Sequence, residues 1–233
     1  MVIIIRKRFI WILLGVLILI GYMGVTTKEK VQLAMTMPIE QLSIVIDAGH
    51  GGRDPGKVGI DGQLEKDINL SIAKKLQSYL ELSGAKVIMI RVDDNGLYTE
   101  SDSNKKRADL KNRIEIVNQA DAQIFVSIHQ NSFSESKSDG AQVFYYKDSD
   151  IGKKLALCIE EEIRGNLDGN NTRKSKPNES YYLLKQSDIP AVIVECGFLS
   201  NYEEAKNLEL DIYQQKVAWG IYMGIIKHFD NIR

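Results

Sequence analysis

Ile44-Val45-Ile46-Asp47-Ala48-Gly49-His50-Gly51-Gly52, followed by Glu65 at the head of an amphipathic pattern, is the stretch on which the fold turns. A β-branched apolar run that stops abruptly at glycines reads as a buried strand entering a tight loop. His50 therefore lies just past the carboxyl end of a strand, where open α/β sheets place their ligand sites. Gly49, Gly51 and Gly52 let the backbone pass close beneath it. Two later runs repeat the arrangement: Ile124–Ile128 closes on His129, and Val192-Ile193-Val194 delivers Glu195. One arrangement accounts for all three: His50, Glu65 and His129 hold a zinc ion, and Glu195 works beside it.

Outward from this stretch, strands and helices alternate. The loop 51–63 holds five glycines and one proline, too many for regular structure. Ile68, Ile72, Leu76 and Leu80 then follow a helical period, which Gly84 is placed to end. Lys86–Ile90 reads as a strand, so strand, helix and strand form a crossover unit. Arg107–Asn118 reads as a helix, Gln123–Ile128 and Gln142–Tyr146 as strands, and Ile151–Ile163 as a helix. Asn166–Glu179 is polar and reads as a long surface loop. Tyr181–Leu184 and Ala191–Val194 are expected as strands, Asn201–Asn207 and Asp211–Phe229 as helices. The last helix is expected to bury Ile212, Trp219, Tyr222, Ile225 and Phe229. The fold class is α/β: a single domain, a twisted, mostly parallel sheet flanked by helices, after an N-terminal hydrophobic segment.

Composition sets the outer bounds. The chain has 233 residues, 44% hydrophobic and 26% charged, with a net charge of -1. Without its N-terminal segment, roughly 190–200 residues remain, enough for one domain with a substantial core. The balanced charge argues against nucleic acid as a partner. Two cysteines, Cys158 and Cys196, do not form a disulfide framework. Arg6, Lys7 and Arg8 precede an apolar run, Phe9–Ile20, that can extend to Val25. Its length falls between a signal-peptide core (about 7–15 residues) and a spanning helix (about 17–25). Basic residues before it favour export of the rest. The expected organisation is a signal or membrane anchor at 1–25, a connector at 26–42 and a catalytic domain at 43–233.

The chemistry can be weighed residue by residue. A catalytic zinc takes three donors from His, Glu, Asp or Cys and keeps one position open for water. The chain has three histidines. His50 and His129 follow strands, and Glu65 begins a helix that the loop 51–64 can fold back towards His50. A carboxylate at a helix start also serves as a simple dipole partner, and a histidine after a strand can be a satisfied loop residue. Glu195 suits a general base for metal-activated water, or a carboxylate paired with a nearby Arg or Lys. Cys196 with His129 or His50 would make a rival thiol nucleophile, which leaves Glu65 without a role. Cys158 reads as core filling, and His228 as a structural cation near a helix end.

At residues 44–52, Glu65-Lys66-Asp67, Ser127–Asn131 and Val194–Asn201 the chain resembles the zinc-dependent N-acetylmuramoyl-L-alanine amidases of bacterial cell walls. The resemblance runs from Ile44 to the C-terminus with its motifs in order. It implies zinc ligands at His50, Glu65 and His129, a catalytic Glu195, and hydrolysis of the amide between the lactyl group of N-acetylmuramic acid and L-alanine. Ala48 and Cys196 depart from the family's usual Pro and Val, at positions that are not ligands. Asn131, just beyond a ligand, is a candidate for substrate binding. Within the family, the single hydrophobic segment and the stretches 138–146 and 171–176 are similar to the germination-specific spore-cortex amidases. That similarity implies work towards muramic-δ-lactam with a muramic acid deacetylase partner, and leaves room for an accessory protein. Two other classes stay open: a catalytically silent peptidoglycan-binding regulator, and a zinc endopeptidase acting on the stem peptide.

Overall fold

The computed structural model describes residues 14–22 and 39–232. Residues 14–22 are helical (α1), and no helix among the described residues is long and apolar enough to cross a membrane. The expected export segment and connector fall mostly outside the described residues. Pro38–Arg233 folds as one unit. In order it holds β1 (Ser43–Ala48), α2 (Glu65–Leu82), β2 (Lys86–Met89), α3 (Lys105–Gln119), β3 (Ile124–Asn131) and β4 (Gln142–Tyr146). There follow α4 (Asp150–Leu167), β5 (Lys176–Asn178), α5 (Tyr182–Gln186), β6 (Ala191–Phe198), α6 (Tyr202–Glu209) and α7 (Asp211–Asp230).

These strands form one six-stranded sheet in the order β2-β1-β3-β6-β4-β5. β1 is parallel to both β2 and β3, and β3 is parallel to β6; β4 runs antiparallel to β6, with β5 parallel beside it. The chain thus leaves β1 for β2 on one side and returns to β3 on the other. The carboxyl ends of β1 and β3 therefore flank a topological switch point, the crevice in which such sheets bind ligands.

Strand alternation sorts the side chains onto two faces. Ile44, Ile46, Ile128 and Val194 meet α2, α4 and α7 in the larger core, whereas Val45, Phe125 and Ile193 meet α3 and α5 in the smaller one. By the same alternation Asp47, Ser127, His129 and Glu195 share the α3–α5 face. His129 and Glu195 are thus carboxyl-terminal members of rows that begin apolar on β3 and β6.

Four expectations change. Tyr181–Leu184 is not a strand: Asn178 Oδ1 accepts from the amides of Ser180 and Tyr181, turning the chain into the short helix α5. Four consecutive apolar residues carry neither a helical nor a strand period, so the turn decided. The expected loop 166–179 contains β5, an edge strand that accommodates Pro177. β6 continues to Phe198, so Glu195 sits inside the strand, in register with His129 on one side and Gln142 on the other. Last, Ile212 is 61% and Trp219 41% exposed. α7 instead buries Val217, Ala218 and Ile221, while Gly220 and Gly224 bring it against Ile163 and Ile159 of α4.

Candidate metal centre and catalytic cleft

Local sequence places each donor. His50 follows β1 in the left-handed region at φ 65°, a costly conformation for a side chain larger than glycine. Strain of this kind concentrates at functional sites. Arg113 Nη2 donates to the His50 carbonyl and helps to hold it there. Glu65 is the first residue of α2 and is 2% exposed. His129 lies in β3, just before a register irregularity between His129 and Asn131, a feature that commonly re-aims a side chain.

These three residues converge. Their ligand atoms lie within 4.8 Å of one another. Glu65 Oε1 is 3.2 Å from His50 Nε2 and 3.0 Å from His129 Nδ1. A Cβ on Gly49 would overlap the His129 ring, so only glycine lets the ring lie against this backbone. At Gly56, whose φ is +69°, an added Cβ would meet both Glu65 and His50.

The surroundings orient the donors. Asp54 Oδ2 is 2.9 Å from His50 Nδ1, which leaves Nε2 to face Glu65. Glu65 Oε2 accepts from the Lys57 amide at 2.7 Å, and Oε1 from the Gln130 amide at 3.1 Å. Asn69 donates to the Gly49 carbonyl and accepts from Gln130 Nε2, tying α2 to both strand ends.

Charge completes the picture. Burial would raise the Glu65 carboxyl, but its bonds to His129 and His50 outweigh burial and hold it well below the carboxylate range. Burial would lower His129, and Glu65 overcomes it in the opposite direction. Glu195, 8% exposed, is pushed up to about 6, first by burial and then by Glu65, against the pull of the histidines. Its Oε2 is buried without a hydrogen-bond partner. The Tyr181 hydroxyl faces it and is itself pushed up to about 12, by burial and then by the Glu195 charge. A divalent cation among these groups would reverse the sign at Glu195, favouring its ionised form. Two imidazoles, one carboxylate and an unpartnered carboxylate oxygen beside them fit a divalent cation with one position left for water.

The cleft over this centre has a volume of ≈350 Å³ and is bordered by Asn131, Tyr181 and Lys106. Asn131 Oδ1 also accepts from the Ser132 amide, so that side chain shapes its own loop while bordering the cleft. Cys196 takes no part. It belongs to the core on the opposite sheet face, and burial pushes its thiol well above the usual range, which removes the thiol-nucleophile alternative. His228 is 2% exposed and burial lowers it, so it is a neutral core residue rather than a helix-end cation. Cys158 is half-buried rather than core filling.

Two buried arginines were not anticipated. Arg91 donates to the carbonyls of Ala48, Gly49 and Lys66. Arg113, 1% exposed, pairs with Asp47 and Asp109 and donates to the carbonyl of Ala48 as well as that of His50. Burial would raise Asp47, but Arg113 and Ser127 hold it below the usual carboxylate range. The available signals were an aspartate within an apolar strand and an arginine on the apolar face of α3. Because Asp47 and the carbonyls would be left buried and unpaired, Arg113→Ala is expected to lower stability by about 3–5 kcal/mol. Arg113→Lys should recover only part, since one ammonium cannot reach all these acceptors. Denaturant unfolding measures both.

Comparison with known proteins identifies the family. The chain is 38% identical over 230 residues to the germination-specific N-acetylmuramoyl-L-alanine amidase of Bacillus subtilis, covering 96% of each. Its fold matches the CwlD amidase of Clostridioides difficile, solved in complex with the GerS lipoprotein, at 47% identity and a TM-score of 0.80, over 82% of this chain and all of that one. It also matches the amidase AmiC2 of Nostoc punctiforme at 34% identity and a TM-score of 0.71, over 81% and 97% of the two chains. With residues 44–227 matching that family throughout, the chain belongs to the N-acetylmuramoyl-L-alanine amidases.

Proposed function

We propose that this amidase uses zinc, held by His50, Glu65 and His129, to cleave the lactyl–L-alanine amide of spore-cortex peptidoglycan, with Glu195 as its proton carrier. The observation that carries the reading is the buried, unpartnered Glu195 Oε2 on the strand beside His129. Bound at those donors, zinc supplies a Lewis acid that acidifies water and polarises an amide carbonyl.

The chain's own groups handle the proton and the substrate. Glu195 takes a proton from the attacking water, then passes it to the alanine nitrogen as the C–N bond breaks. The products are a free lactyl carboxylate and a peptide with a free L-alanine amine. The Tyr181 hydroxyl faces the Glu195 carboxyl and can orient it once substrate is bound. Asn131 stands at the rim, where it can hydrogen-bond the entering amide. Asp54 and Arg113 hold His50 in place from its ring and its carbonyl.

The finer setting is supported by the germination-specific relative and by the lipoprotein complex of the Clostridioides difficile structure. In this setting the N-terminal segment exports the enzyme as a signal or anchor, and residues 26–42 serve as its connector. An accessory protein can assist it. A muramic acid deacetylase then acts on the stripped muramic acid on the route to the δ-lactam.

Product analysis on the full chain tests the reading. Peptidoglycan digestion should release stem peptides that begin with free L-alanine, stop after chelation and resume when zinc is restored. L-alanine left on muramic acid would instead indicate an endopeptidase, cleavage that survives chelation a metal-independent enzyme, and no release at all a silent binding protein.

A further inference from the structure

The cleft does not end at the candidate metal centre. A second lobe of ≈370 Å³ shares His50, His129 and Glu195 with it and continues over Leu110, Tyr182 and Ile193. A third, of ≈520 Å³, shares Lys106, Leu110 and Tyr182 with the second and adds Arg107, Lys111 and Asn104. An apolar floor is thus joined to a cationic wall carried on the first turns of α3. Arg107 and Lys111 are four apart and so lie on one side of that helix. Their neighbours Lys105 and Lys106 reach Glu100 and Asp54, but neither Arg107 nor Lys111 has an ion-pair partner among the described residues. No carboxylate among the described residues lines the third lobe.

We infer that this groove is the subsite for the peptide half of the substrate, and that Arg107 and Lys111 bind the carboxylates of that peptide. The assignment rests on the amidase reading above. An amide placed at Glu195 divides the substrate into a sugar-bearing acyl half, rich in hydroxyls, and an amine half that is an acidic peptide. Uncommitted cations beside Leu110 and Tyr182 complement the second half and offer little to the first. The guanidinium of Arg107 suits a carboxylate in two-point contact, and Lys111 a point charge further along.

The test uses the full chain, wild type and Arg107→Gln/Lys111→Gln, on two soluble muropeptides of one sequence, with stem carboxylates free or amidated. The double variant should raise KM for the free-acid substrate roughly three- to tenfold. Its kcat should hold, and its KM for the amidated substrate should not change. A free-acid KM that does not change in the variant, or an equal loss on both substrates, overturns the assignment. Calorimetric binding of the free acidic stem peptide adds a readout without turnover. Weaker binding to the variant supports the groove, and unchanged binding overturns it. Failure of the wild type to cleave either muropeptide would count against the amidase reading itself, and peptide binding alone would then decide the groove.

Discussion

Glu195→Gln should keep the metal and lose the reaction. Glutamine preserves the volume and the buried position but cannot accept a proton, so the loss should match what general base catalysis contributes, about 10²–10⁴-fold in kcat. The candidate donors His50, Glu65 and His129 do not include Glu195, so metal content should stay at the wild-type value. Because the variant leaves substrate contacts intact, KM should move little. Metal analysis beside steady-state kinetics checks the prediction. Near wild-type turnover would remove Glu195 from the chemistry, and a variant stripped of metal would make it a ligand instead.

Glu65→Ala should fail at both. It removes the one carboxylate shared by the two imidazoles, which Glu65 meets at 3.2 and 3.0 Å. It also leaves the amides of Lys57 and Gln130 without their acceptor. Metal content should fall to background and peptidoglycan cleavage below detection. Glu65→Gln separates the two roles: its amide can still accept from Lys57 or Gln130, but it brings no negative charge to a cation. It should therefore fold like the metal-free wild type and still bind metal poorly, as thermal unfolding without added metal and metal analysis together would show.

The layered sheet could be read from the sequence because β-branched runs and helical periods are long and regular in the first half of the chain. His50, Glu65 and His129 were legible for the same reason, since each stands at the edge of such a run. What escaped was set by contacts between distant segments. Arg113 looks like any exposed helical arginine until α3 lies over Asp47. Tyr181 is the exception: Asn178, only three residues earlier, turns the chain there, a local signal that the apolar run outweighed in the reading. On α7, Trp219 and Ile212 suggested the apolar face, but Gly220 and Gly224 chose it by allowing close approach to α4.

The candidate metal donors come from a loop, a helix start and a strand, and Glu65 and His129 stand 64 positions apart in the chain. A cation held by all three is therefore a cross-link as well as a reagent. It closes chain loops whose ends would otherwise have to be brought together at an entropic cost. Binding only the assembled donors, such a cation would add its binding free energy to the folded state, so loading the site should raise the unfolding temperature as well as the activity.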